Sequence, residues 1–377
     1  MRRRHFRLLS ACLAVTLAAC AATDNAPEPA KLPKITEFNQ LPLLWRARVG
    51  NAEDFRFVPT LSAPGKVFAA SAEGELAGFR LADGEREARF KLGKPLSGGV
   101  SGDGQSLIIA TGKGEVLSVG VDGVQRWLAR VNSEVLTAPV IANGLVLVRA
   151  TDGSVTALDI RDGARRWIYQ RSLPSLILRS QGEMLVVGRK LIIGMPGGKL
   201  VALSLSDGGV LWEAPIMLPR GATELERIVD VASAPVSDGK MVCAVAYQGR
   251  VACVDLESGN ALWSRDVPSS YGLAIDHRNV YVTDELGAVL AYEKHSGRNL
   301  WKQGLLFARG VTAPALLGRH VVVGDFEGVV HLLSAEDGSF LSRAKTDGSA
   351  IRIAPAIVDD RVLIQTAKGG LFLFAIK

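Results

Sequence analysis

The sequence predicts an all-β fold, an eight-bladed β-propeller with four-stranded antiparallel blades. Three observations predict it. First, one phrase recurs: an apolar strand, an Asp/Ser-Gly turn and a tryptophan, clearest in VTALDIRDGARRW ending at Trp167. It returns in copies ending at Trp127, Trp212, Trp263 and Trp301, with Ala88 and Ser342 standing in the Trp place of two degenerate copies. Trp45 carries only the end of the phrase, and the eight anchors lie 38 to 51 residues apart. A unit of this size cannot bury its apolar face alone, so units must pack side by side. Second, every unit parses into short strands, with no sustained helical period. Third, the ends are complementary. The chain opens on an orphan fourth strand around Trp45 and stops after a third strand, Leu371 to Ile376. Pairing residues 43–49 with 371–376 closes the ring and removes an open sheet edge. A linear solenoid would need polar caps at both ends, and none is evident.

The strands follow in order from Leu136. LTAPVIA is an inner strand with a proline near its start, where a missing N–H is tolerated. Asn143-Gly144 is a two-residue hairpin turn. LVLVRA is the second strand, Asp152-Gly153 turns the chain, SVTALDI is the third, and RRWIYQ after Asp162-Gly163 is the fourth. The inner strand recurs as LSAPG, ASAPV, VTAPA and IAPAI. The third recurs after a glycine as GELAGF, GEVLSV, GSVTAL, GKLVAL, GRVACV, GAVLAY, GVVHLL and GLFLFAI. Each tryptophan is expected to pack between neighbouring blades, its indole N–H reaching a backbone carbonyl.

Residues 1–19 read as a signal peptide: Arg2, Arg3, Arg4 and Arg7 precede an apolar run too short to span a bilayer. The run ends in Leu-Ala-Ala-Cys20, which resembles a bacterial lipobox and implies cleavage before Cys20 and its acylation. Ala21 after the Cys implies the outer membrane. Residues 20–40, rich in Pro, Ala and charge, read as a flexible tether, and 41–377 as the propeller. The formal net charge of +6 includes the four leader arginines, leaving +2 for the rest. No basic run with interleaved aromatics remains, so nucleic-acid binding is not expected. Of the other cysteines, Cys12 leaves with the leader. Cys243 and Cys253 flank a turn and form either a cross-strand disulfide or two buried free thiols, with free thiols preferred because cross-strand geometry is demanding.

Two intervals exceed the period, and extra length in a repeat protein goes into loops on one face, often the binding face. They contain residues 173–190 and 214–235. In the first, Leu176, Leu178 and Arg179 form an L-x-L-R phrase. It reads either as apolar anchors beside a cation, suited to a protein contact, or as an inner strand with buried leucines.

The repeat resembles that of pyrroloquinoline-quinone dehydrogenases, which identifies fold and not function. The lipobox, the Pro-rich tether, the degenerate Trp repeats and the SLILR and TELERIVDVASAPV stretches together resemble the BamB family. These are lipoprotein scaffolds of the outer-membrane β-barrel assembly machine. The resemblance implies a non-catalytic role with no cofactor, and docking of the periplasmic domains of the central subunit, BamA. It implies that Leu176, Leu178 and Arg179 make that contact, together with a nearby D-x-D phrase. Asp230 matches the first carboxylate of that phrase, but Ala232 stands at the second, leaving Glu224 or Glu226 to supply another acid. Unfolded outer-membrane protein precursors are a further expected partner, by strand addition.

Enzyme readings lack their parts. A quinone-dependent dehydrogenase needs calcium held by oxygen ligands, and in such enzymes an adjacent Cys-Cys pair often lies against the quinone; this chain has no such pair. The five histidines, His5, His277, His295, His320 and His331, are scattered singly, with no metal-ligand spacing. Gly197-Gly198-Lys199 precedes a strand, not a helix, so it is no phosphate loop. The alternatives are a quinoprotein-like dehydrogenase or small-ligand binder using the central channel, and an envelope adhesion scaffold.

Overall fold

The computed structural model describes residues 27–35, 41–52, 57–63, 65–179 and 182–376. The leader and Cys20 lie outside the described residues. Eight four-stranded antiparallel sheets are arranged as blades. Blades 1 to 7 span residues 60–91, 101–130, 140–169, 185–215, 236–266, 272–303 and 315–345. Blade 8 takes its three inner strands from 356–375 and its outermost strand, Leu43–Arg48, from the other end of the chain. There Trp45 lies opposite Leu373 and Ala47 opposite Leu371, the closure expected from the unmatched ends.

The burial pattern explains the sequence pattern. Second and third strands such as Leu145–Arg149 and Val155–Asp159 are buried almost throughout, because a neighbouring blade covers each face. They therefore read as continuous apolar runs. Outermost strands such as Arg165–Tyr169 bury chiefly the tryptophan. The core is a ring of eight clusters, each built from two adjacent blades: Trp212, for example, shares one with Val242 and Val254 of the next blade. Inner strands are shorter than expected. In blade 3 only Val140–Ala142 is strand, since Pro139 has no N–H to offer a ladder. At the following turn both Asn143 and Gly144 take positive φ, as the hairpin required.

The tryptophans act as expected. Each donates its indole N–H to a carbonyl of the next blade: Trp45 to Leu81 at 2.8 Å, Trp127 to Ile160 at 2.8 Å and Trp167 to Leu205 at 2.9 Å. Trp212 reaches Leu256 at 3.0 Å, Trp263 Lys294 at 2.6 Å and Trp301 Ala335 at 3.1 Å. A β-bulge lies just before each of these tryptophans, and also before Ala88 and Ser342, the two places without one. At each turn after a third strand, the glycine sits on the ring of the preceding blade. Gly259, at φ +73°, would bring a Cβ to 2.8 Å from Trp212.

Two expectations need correction. Cys243 and Cys253 are bonded, not free. They lie directly opposite each other in blade 5 with Cα atoms 4.0 Å apart, and the register supplies the geometry that spacing alone left open. The segment read as a flexible tether is also partly docked. Leu32 and Ile35 pack against the cluster between blades 6 and 7, and Ala30 N–H donates to Phe307 O at 2.9 Å. Arg309 and Arg343 donate to the carbonyls of Ala30 and Pro33 at 3.0 and 2.6 Å. Proline suits this docking because the extended chain needs its carbonyls more than its N–H groups.

Candidate docking face

Both long intervals are connectors from an outermost strand to the next inner strand, one from blade 3 to blade 4 and one from blade 4 to blade 5. They lie against each other and are joined by Asp230. This carboxylate accepts the Leu178 N–H at 2.7 Å and the Gly197 N–H at 2.9 Å, and its own carbonyl accepts the Tyr247 N–H at 2.9 Å. One side chain thus fixes the first connector, a blade 4 turn and the second connector. It is only 4 % exposed, so Asp230 is placed to position the loops, with no free carboxylate face for a partner.

Arg149, at the end of the second strand of blade 3, extends the lock from below. Fully buried, it donates to the carbonyls of Gly182, at 3.1 Å, and Gly194. Burial pushes its guanidinium down to about 10, and the nearby charge of Asp230 acts against that fall. Gly182 permits the close approach, since a Cβ there would collide with the Ser233 backbone.

Held this way, the L-x-L-R phrase is not an inner strand; that strand is Leu185–Val187. Leu178 is half-buried, with its N–H on Asp230, whereas Leu176 is 40 % exposed. Arg179 projects into solvent and pairs with Glu134 of the blade 2 to blade 3 connector at 3.0 Å. Ala232 is buried and cannot meet a partner. The two candidate replacement acids differ. Glu226 accepts the N–H groups of Ala222 and Thr223 at 2.7 and 3.1 Å, holding its own loop, and those bonds lower its pKa. Glu224 is exposed beside Ser175 Oγ, 3.3 Å away.

Sequence reading missed three contributors. Leu218 and Leu225, both on the second connector, are exposed, so with Leu176 the two connectors carry three exposed leucines, arginines on both and one available carboxylate. Arg149 gave no signal, because it sits in an ordinary strand. A cavity of about 200 Å³ is lined by residues from several blades and their connectors, among them Leu136, Thr137, Ser233, Tyr271 and Arg352. Among the described residues, no cluster of His, Cys, Asp or Glu is placed to hold a metal ion.

Fold and face together define a propeller of the quinoprotein-repeat type whose elaborated part is a loop surface. The chain matches, over residues 72–303 and 287–377, the family model described as outer membrane protein assembly factor BamB. The relative of that name from Bordetella pertussis is 39 % identical over 95 % of this chain and 94 % of its own length. The one from Burkholderia pseudomallei is 39 % identical over 97 % and 96 %. The crystal structure of BamB from Moraxella catarrhalis superposes with a TM-score of 0.81 at 26 % identity, covering 89 % of this chain and all of that one. The chain belongs to the BamB family of outer membrane protein assembly factors. A quinohemoprotein alcohol dehydrogenase from Comamonas testosteroni, at TM-score 0.70 and 12 % identity over 89 % of this chain and 76 % of that one, shares the fold alone.

Proposed function

We propose that this chain is a non-catalytic, outer-membrane-associated scaffold in outer-membrane protein assembly, held through an acylated Cys20 on the periplasmic side. Its connector face grips the periplasmic domains of BamA and so aids insertion of β-barrel proteins. The observation that carries this reading is the pair of long connectors locked by Asp230, on which Leu176, Leu218 and Leu225 are exposed and Arg179 pairs with Glu134. A preorganised apolar patch rimmed by charge is what a protein contact needs, because little ordering cost remains on binding. The names of the relatives are consistent with this role and with none of the enzyme readings.

The test is a binding titration of the processed chain against the periplasmic domains of BamA, wild type beside Leu176→Ala/Arg179→Ala. Truncating central contact residues costs about 2 kcal/mol or more each, so the double variant should lose binding. Undiminished binding by the variant would move the site elsewhere on the propeller. No binding by the wild type would overturn the partner.

A further inference from the structure

The docked segment 27–35 carries a consequence for how the molecule sits. Ala30 is held at the connector between blades 6 and 7, by Phe307 and Arg309, whereas Pro33 lies further along, at Arg343 in the outermost strand of blade 7. The chain therefore enters at the connector face and runs across the rim. Ala30 is ten residues beyond Cys20, so the link reaches about 35 Å at full extension. Were the segment released, the first fixed point would be Leu41 and the reach about 70 Å.

Around this entry point lies a second apolar surface, away from the docking connectors. Leu286, Leu305, Phe307 and Phe326 are all exposed. They belong to one neighbourhood: Ala308 N–H donates to Leu286 O at 2.8 Å, and Phe326 N–H to Arg309 O at 3.1 Å. Arg309 also stacks over the Phe326 ring, 5.3 Å from its centroid.

We propose that residues 27–35 act as a strap that seats this rim, Leu286, Leu305, Phe307 and Phe326, on the periplasmic surface of the outer membrane. The strap shortens the link to the acylated Cys20, and leucine and phenylalanine enter the interfacial region of a bilayer favourably. The inference rests on the lipid-anchor reading above.

The experiment uses the full acylated protein in phospholipid vesicles carrying headgroup-quencher lipids. A fluorophore is attached at Glu285→Cys, beside the rim, or at His295→Cys, on the turn at the other end of blade 6. Cys243 and Cys253 are bonded to each other and Cys20 is acylated, so the introduced thiol is the one that labels. The expected result is strong quenching at position 285 and at least fivefold less at 295. Either Leu305→Ser/Phe307→Ser or Leu32→Ser/Ile35→Ser should abolish the difference. Equal quenching at both positions in the wild type would overturn the proposal. So would shielding of position 285 that appears only on adding BamA, which would give the rim to a protein. Co-sedimentation with the vesicles is measured in parallel: a protein that does not sediment overturns the anchor, whereas one that sediments with position 285 unquenched overturns the strap.

Discussion

At the scale of single residues, the propeller is held by a repeated pairing of one flat ring with one residue that has no side chain. The indole of each repeat satisfies a carbonyl of the next blade and lies under the glycine of its last turn. This explains why the Asp/Ser-Gly pair and the tryptophan travel together although they serve different blades. It also explains the exceptions. Where Ala88 replaces the tryptophan, the ring of Phe90 lies under Gly123 instead. Where Ser342 replaces it, the next blade has no turn to cover, because its outermost strand comes from the chain start. Leu41 packs there with Val322, Leu332 and Phe374. A paired substitution separates the two demands on the glycine. Gly239 has φ +88° and open space around it, whereas Gly259 has φ +73° and the Trp212 ring 2.8 Å from a would-be Cβ. Gly239→Ala should cost about 1 kcal/mol, the backbone term alone. Gly259→Ala should cost about 1–3 kcal/mol more, the scale of overpacking a filled site. Denaturant midpoints of the two variants measure the difference, and equal shifts would remove the ring from the account.

At the scale of elements, blade 7 and the strap are coupled through buried charge. His331 is fully buried, with Nε2 3.1 Å from Asp325 Oδ2 and Nδ1 3.2 Å from Arg343 Nε. Asp325 in this network only accepts and arginine only donates, so the ring is neutral with its proton on Nε2. Burial lowers the pKa of His331, the charges of Arg343 and Arg309 add to that, and the bond to Asp325 opposes it without prevailing. A histidine with a folded pKa below its unfolded value of about 6.5 contributes stability at higher pH that is lost as pH falls below that value. The loss can reach about 1.4 kcal/mol per pH unit for one proton. Protonation would also turn a second N–H toward Arg343, the side chain that holds Pro33. Unfolding midpoints measured from pH 7.5 to 5 should fall in the wild type and stay flatter in His331→Gln, whatever the absolute cost of the substitution; parallel curves would show that His331 does not titrate there. Contacts of this kind are what the sequence hid. The repeat, the blade count and the ring closure were legible because eight near-copies state one physical demand. The strap reads as flexible because composition registers its prolines and charges, whereas its docking depends on three hydrogen bonds to residues 277 to 310 positions away and on the packing of Leu32 and Ile35. Resemblance marks Asp230 as a site residue, yet its carboxylate faces inward. Residue identity alone does not tell a contact group from the group that positions it.

At the scale of the whole molecule, the question is whether the ring behaves as a closed object. In a linear array the terminal unit has one neighbour, and substitutions there cause local fraying more than global loss. Here the strand Leu43–Arg48 is covalently first but structurally the outer strand of the last blade, paired along Gly370–Phe374 with the one bulge between Leu43 and Trp45 that its counterparts also carry. Trp45 then bridges to blade 1 through Leu81 O, and shares a core with Val67, Phe79, Leu363 and Leu373. By local environment Trp45 and Trp212 are equivalents: each is buried, each bonds a carbonyl of the next blade, and each lies under a glycine, Gly84 or Gly259. Closure therefore makes a quantitative demand. Trp45→Ala should lower the global unfolding midpoint about as much as Trp212→Ala, each at the cost of about 3–5 kcal/mol typical of removing a buried large aromatic. Hydrogen exchange should show blades 8 and 1 opening together with the rest and not ahead of it. If Trp45→Ala left the midpoint near the wild-type value while accelerating exchange only in 43–48 and 370–375, the seam would be a loose end. A loose seam would also expose the edge of 370–375 to pairing with other chains. Matching losses at the two tryptophans would instead show that the fold has no weak blade, so that the strap at blades 6 and 7 and the connector face at blades 3 to 5 are held on one rigid frame.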